Sequence, residues 1–468
     1  MTTYRIRRRL FAAVSLLALA AGAASAEDAA GDWSGLLAGQ YHVVVHVTQD
    51  GAGHYRATLE SPDQGNLVLP VDSVVTDPDH LSFTIPKISA SYAGMWNAGT
   101  KSWVGTWNQG LSTPLVLRRM TDPASDPAPA KRPQEAAIAK GPLPYGNEDV
   151  GFANAAVPGV MLKGTFSKPA DGGPFPTVVL ISGSGPNTRD EELMGHKLLL
   201  VLADDLNRHG IAVLRYDKRG IGASTGNYAT ATTADFTSDA EAAVAYLKTR
   251  ADVDPRHIGV LGHSEGGLIA PAVAVADPTV SLVVLMAGPG VRGDALFLKQ
   301  GELIARASGV TDADIARTRS LRVQGFAVIE TSSDAADAKA KLDARAARAV
   351  AAGLIKKDEA DQNIARITDP WMYYFLRYDP VPTLQKVRVP VLAIDGSLDL
   401  QVEPKENLAA IKSALKDDAD VTVSELPGLN HLFQDARTGA PGEYGEIEET
   451  FAPSALKIVT DWVVAHRF

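Results

Sequence analysis

The 468-residue chain contains no cysteine, which excludes a disulfide framework, a thiol nucleophile, a lipid-modified cysteine and a cysteine-ligated metal. Its formal charge is −10, with acidic and basic residues interspersed rather than blocked, so nucleic acid is disfavoured as a partner and neither an acidic tail nor a basic arm is expected. The length allows two or three domains, each large enough to bury a core.

Residues 1–26 read as a secretory signal. Arg5, Arg7, Arg8 and Arg9 precede an apolar run from Leu10, and Ala24-Ser25-Ala26 supplies small residues for cleavage. Removing this segment with its four arginines takes the charge to −14. The apolar run is short for a membrane span, so no stable span is expected after cleavage, and the protein is expected to be periplasmic or secreted. Arg8-Arg9-Leu10-Phe11 suits twin-arginine and ordinary export equally.

Residues 27–120 alternate with period two. Tyr55, Ala57 and Leu59 face one way against Arg56, Thr58 and Glu60, and Leu81, Phe83 and Ile85 alternate with Ser82 and Thr84. This predicts an all-β domain, a sandwich or barrel of seven or eight antiparallel strands. Residues 121–145, rich in proline, alanine and charge, are expected to form an extended, semi-rigid linker.

From residue 146 onward the rhythm changes to continuous apolar strands at 178–181, 212–214, 258–261, 282–286, 391–394 and 421–426, separated by helical stretches. Strands buried on both faces predict an α/β fold with a mostly parallel sheet. Strand rhythm stops across residues 291–378, where alanine-rich, charged helical spacing predicts a helical cap insertion.

The chemistry concentrates at Gly262-His263-Ser264-Glu265-Gly266-Gly267, which an apolar strand enters and a small-residue helix leaves. A sharp strand-to-helix turn of this kind exposes a serine hydroxyl above the sheet and aims helix N–H groups at it. Gly222-Ala223-Ser224-Thr225-Gly226 also fits the G-x-S-x-G pattern but lacks the strand and the helix, so Ser224 reads as a loop residue.

Serine needs a base held in the right tautomer by a carboxylate, following it in the chain as acid and then histidine. His431, in Pro427-Gly428-Leu429-Asn430-His431 after the last strand, meets that order, whereas His263 sits inside the turn and His196 and His209 precede the serine. Asp395 and Asp399 compete as the acid. Asp399, beyond the Gly396 turn, is favoured because it can reach toward the histidine loop. Oxyanion donors are expected from the amides of Glu265 and of Ser184, the latter in Ser182-Gly183-Ser184-Gly185-Pro186. That loop lacks a following Gly-Lys-Ser/Thr, so nucleotide cradling is not expected, and neither is a metal or cofactor.

With Gly183-Ser184-Gly185-Pro186 and Arg189-Asp190, Tyr216-Asp217-Lys218-Arg219-Gly220-Ile221-Gly222, the serine motif, the stretch from Gly396 to Asp399, and Asn430-His431, residues from about 150 to 468 resemble the α/β-hydrolase superfamily. The resemblance is to bacterial exported esterases and serine aminopeptidase-like hydrolases with a β-rich N-terminal domain. It implies Asp399 as the acid, through the family's Gly-x-x-Asp pattern, and places residues 146–468 in one hydrolase domain. Asp395 stands where the family more often carries an apolar residue, Asn or His. Arg189 and Asp190 read either as braces of the oxyanion loop or as a solvated pair, and Lys218 and Arg219 as structural. The run from Trp371 to Leu376 reads as cap packing in preference to a pocket lining.

The expected activity is hydrolysis of a small ester or acyl substrate. A serine aminopeptidase or acyl-peptidase on the same residues is the alternative, and an envelope glycan-binding module with an incidental hydrolase domain is the rival of another class. Substrate identity and oligomeric state are left open.

Overall fold

A computed structural model describes residues 28–466 apart from 38–40, 62–66, 78, 89, 99, 109–111, 121–130, 308–309, 353–356 and 418–419. The signal expected over residues 1–26 lies outside the described residues, as do residues 121–130 of the proline-rich stretch.

The alternating N-terminal segment forms one antiparallel sheet of nine strands: β1 Gly31–Leu37, β2 Tyr41–Gln49, β3 Tyr55–Ser61, β4 Leu67–Pro70, β5 Ser73–Asp77, β6 His80–Ile85, β7 Ala90–Asn97, β8 Ser102–Asn108 and β9 Ser112–Arg119. The spatial order is β4-β3-β2-β1-β9-β8-β7-β6-β5. Only Val71 and Asp72 separate the two edge strands. The Val71 amide bonds Ala57 O at 3.1 Å and the Asp72 amide bonds Thr84 O at 2.9 Å, so the sheet closes upon itself. The inward positions of the alternation fill the interior with Trp33, Trp103, Tyr92, Phe83, Leu81 and Leu117. The Tyr92 hydroxyl satisfies itself there by donating to Trp103 O at 3.0 Å. The count exceeds the seven or eight expected because β5 follows β4 after only two residues and β7 is built largely of small residues.

Residues 133–140, expected to be extended linker, instead form helix α1, Pro133–Lys140. Proline at its start is compatible with the first helical turn, where its missing N–H costs nothing. Gln134 and Glu135 then tie it down: Thr450 N donates to Gln134 Oε1 at 2.7 Å, and Lys197 N donates to Glu135 Oε1 at 2.8 Å.

The second sheet is built from β10 Tyr145–Ala153, β11 Met161–Pro169, β12 Phe175–Ile181, β15 Ala212–Tyr216, β16 Val253–His263, β17 Val280–Met286, β18 Val391–Gly396 and β19 Val421–Leu426, with a small hairpin, β13 Glu192–Leu193 and β14 His196–Lys197, lying apart. Its order is β10-β11-β15-β12-β16-β17-β18-β19. The pairings are parallel from β15 to β19 and antiparallel at β10–β11 and β11–β15. Along β12, Val179 and Ile181 join one core with α3 (Thr233–Leu247), α4 (Gly266–Ala276) and α11 (Pro404–Ala414). Val178 and Leu180 join the other core, with α2 (Leu198–Arg208) and α12 (Pro453–Ala465). Alternate side chains thus enter opposite layers, which is why these strands read as continuous apolar runs.

Between β17 and β18 the chain forms α5 Gly293–Ala307, α6 Asp312–Glu330, α7 Ala335–Ala351, α8 Lys357–Ile367 and α9 Pro370–Arg377, and then the single turn α10 Val381–Leu384. Asp334 caps α7 by accepting from Asp337 N, and Asp369 caps α9 by accepting from Trp371 N and Met372 N.

Candidate active site

At the C-terminal end of β16 the chain turns through Ser264, whose φ is +52°. A non-glycine residue there costs roughly 1–2 kcal/mol, a strain that surrounding structure must hold in place. The Ser264 amide donates to Met286 O at 2.9 Å, anchoring the turn to β17. Gly262 is required by proximity, because a Cβ built on it would lie 1.9 Å from Gly266 O. Helix α4 begins two residues after the serine, with Glu265 at its N-cap, so its first amides open toward the same spot.

The loop after β12 faces this turn. A Cβ on Gly183 would come within 3.0 Å of Ser264 Cβ, so the glycine permits the loop to press against the serine. Both polar groups of Gly183 are committed. Its amide donates to Glu191 Oε1 at 2.7 Å, and its carbonyl accepts from Asn187 Nδ2 at 2.8 Å and Lys218 Nζ at 2.7 Å. Glu191 is itself held at a φ of +51°. Arg189 and Asp190 brace this segment and do not form a solvated pair. Arg189 bonds Asp217 through Nε at 3.1 Å and Nη2 at 2.9 Å, and Asp190 pairs with the buried Arg215.

His431 arrives from the loop after β19. Its Nδ1 donates to Asp399 Oδ2 at 2.6 Å, and both residues are buried. Asp399 Oδ1 accepts from Gln401 N at 2.7 Å and Val402 N at 2.9 Å, so its carboxylate is fully oriented. Asn430 rigidifies the loop, its Oδ1 accepting from the amides of Leu432 and Gln434 at 3.0 Å each. The competing Asp395 lies beside the Asp399 carboxylate. Its Oδ1 accepts from Gly396 N at 2.8 Å, it is completely buried, and burial together with the neighbouring Asp399 charge raises its carboxyl well above the usual carboxylate range.

His263, immediately before the serine, links the serine turn to the His431 loop. Its ring lies 4.9 Å from that of His431, and its Nε2 donates to His431 O at 2.9 Å. The structure therefore brings together Ser264, Gly183, His431 and Asp399 from four separate loops at one sheet edge.

A second set of contacts surrounds Glu265. Its buried carboxylate accepts from Lys218 Nζ at 2.9 Å, Thr233 Oγ1 at 2.7 Å and Trp371 Nε1 at 2.6 Å. Lys218, read from sequence as merely structural, thus touches both the residue after the serine and the loop after β12. Arg219 does serve a structural end, bonding Asp239 at 2.7 Å and Asp235 at 2.8 Å. Sequence reasoning missed Glu191 and Lys218. The usable signal for Lys218 was its position just past the end of a fully buried parallel strand, where ligands of such sheets bind. Trp371 packs between Phe297 and Phe375 and beside Leu268 of α4, so the aromatic run of α9 joins insertion to sheet. Ser224, the decoy, is an internal strut whose Oγ donates to Asp217 O at 2.8 Å.

Sheet order, strained serine turn and the loops converging on it define an α/β-hydrolase. Residues 197–435 match the family model described as serine aminopeptidase, S33, and the chain belongs to that family. It is 27% identical over 277 residues to esterase EstD of Thermotoga maritima, covering 58% of each chain. The chain therefore spans less than two thirds of that curated relative. Among solved structures it is similar to the α/β hydrolase GrgF from Penicillium sp. sh18, at 20% identity and TM-score 0.43, covering 69% of this chain and 99% of that one. It is also similar to an esterase of Pyrococcus furiosus, at 19% identity and TM-score 0.41, covering 60% and 83%.

Proposed function

We propose that the chain is a serine hydrolase that cleaves carboxylic esters through an acyl-enzyme. The observation that carries this reading is the 2.6 Å contact between His431 and Asp399, held against the elbow that presents Ser264. In the proposed reaction Ser264 Oγ bonds to the ester carbonyl carbon as its proton passes to His431 Nε2. The tetrahedral intermediate collapses, the alcohol leaves with that proton, and water repeats the cycle on the acyl-enzyme. Asp399 orients the imidazole and balances its transient charge. The oxyanion sits between the Glu265 amide and the Ser184 amide, the Gly183 amide being already spent on Glu191.

Ester rather than peptide substrates are supported by Glu265. A peptidase that recognises a free amine needs an available carboxylate, and that of Glu265, next to this nucleophile in the chain, is taken by three protein donors. The esterase among the relatives points the same way. Export to the periplasm or beyond belongs to the same proposal and rests on the basic head and apolar run of residues 1–26.

A fluorophosphonate probe should label the purified protein and fail to label Ser264→Ala. Undiminished labelling of that variant would remove Ser264 from the reaction. Turnover of nitrophenyl esters beside aminoacyl nitroanilides separates the esterase from the aminopeptidase alternative.

A further inference from the structure

Glu191 and His263 lie outside the proton path proposed above, yet they connect its parts. Both are buried. His263 Nδ1 meets Glu191 Oε1 at 2.9 Å while His263 Nε2 meets the backbone carbonyl of His431 at 2.9 Å. A carbonyl oxygen only accepts, so Nε2 carries a hydrogen. Glu191 Oε1 also accepts the Gly183 amide at 2.7 Å, and as an ionised carboxylate oxygen accepting from both it leaves the second hydrogen on Nδ1. Glu191 Oε2 is buried with no hydrogen-bond partner among the described residues, which concentrates the charge-assisted bonding on Oε1.

We propose that Glu191 and His263 form a buried carboxylate–imidazolium pair that fastens the oxyanion loop to the backbone of His431, so that both act as positioning residues for the hydrolysis. The titratable groups facing the His263 ring are Glu191, Asp399 and His431. Burial alone would discharge the ring; the Glu191 carboxylate, the His431 carbonyl and the Asp399 charge together outweigh it and raise the ring above the ordinary histidine range. The pair itself follows from hydrogen-bond geometry, whereas its effect on turnover rests on the function proposed above.

Nitrogen NMR of the full chain carrying 15N-histidine tests the pair without reference to activity. As the pH is raised past about 6.5, where ordinary histidines lose their proton, the His263 imidazolium should persist at the upper pH, and it should vanish in Glu191→Gln. A spectrum in which every ring is a neutral tautomer at the upper pH overturns the proposal, whether or not any variant folds. In kinetics, Glu191→Gln should lower kcat about 10-fold with little change in KM. An unchanged kcat would mean that the pair serves folding alone. Should wild type hydrolyse no ester while the imidazolium persists, the function proposed above fails and the pair stands.

Discussion

Trp371, in the last helix of the insertion, donates its indole N–H to the carboxylate of Glu265 at 2.6 Å, and Glu265 directly follows the serine of the elbow. The helical insertion is thus fastened to the residue whose amide is proposed to stabilise the oxyanion.

Trp371→Phe keeps an aromatic ring against Phe297 and Phe375 but removes the indole N–H together with its five-membered ring. Losing a buried hydrogen bond to a charged group costs about 1.5–3 kcal/mol. The expected outcome is a roughly 10-fold lower kcat/KM on a nitrophenyl ester with a modest fall in Tm. Trp371→Ala should lose more of both. Equal activity of wild type and Trp371→Phe would mean that the bond is structural only.

Asp399→Asn should lower kcat by about 10⁴, because the amide disturbs both the tautomer and the charge support of the imidazole. Asp395→Asn should behave oppositely. With its folded pKa raised, Asp395 keeps its proton where the unfolded chain releases it, so its contribution to stability is present at acid pH and is lost as pH rises above 3.8. Replacing it by a neutral amide should therefore raise Tm at neutral pH and leave most activity in place. Thermal denaturation and steady-state rates of the two variants side by side check both halves.

Lys218 and Glu265 form an ion pair with almost no exposed side-chain surface. Lys218→Met strands the carboxylate and should destabilise the fold by about 3–5 kcal/mol. Adding Glu265→Gln removes the stranded charge, so the double variant should be more stable than Lys218→Met alone. Additive losses in urea denaturation would show that the pair is not coupled.

His196 is buried, with Nδ1 bonded to Thr450 Oγ1 and Nε2 to Tyr444 O, both at 2.8 Å. Burial depresses its pKa to about 4 from an ordinary 6.5. Between those values the unfolded chain binds a proton that the folded chain refuses, so stability falls as pH falls through that window and levels off below it. The full span is worth about 3 kcal/mol. A Tm series from neutral to acid pH should show the fall, and His196→Gln should flatten it.

The parallel strands were legible because alternate residues of β12, β16 and β17 enter two apolar layers, leaving an unbroken apolar run. The hairpin of β10 and β11 was not, since most side chains of β10 are exposed and its polar sequence carries no period to read. Helix α1 was hidden for a related reason: its order comes from Gln134 and Glu135 gripping segments some 60 and 315 residues away. At the site, the serine turn and the His431 loop announce themselves through glycines and chain order. Glu191 and Lys218 do not, because a lone charged residue looks solvated until its distant partners are known.

The ends of the helical insertion meet, the Gly293 amide donating to Tyr378 O at 3.1 Å, while the β17 and β18 that flank it are already neighbours in the sheet. Between those two residues the chain can therefore grow or shrink without moving the strands beneath, as long as Trp371 still reaches Glu265.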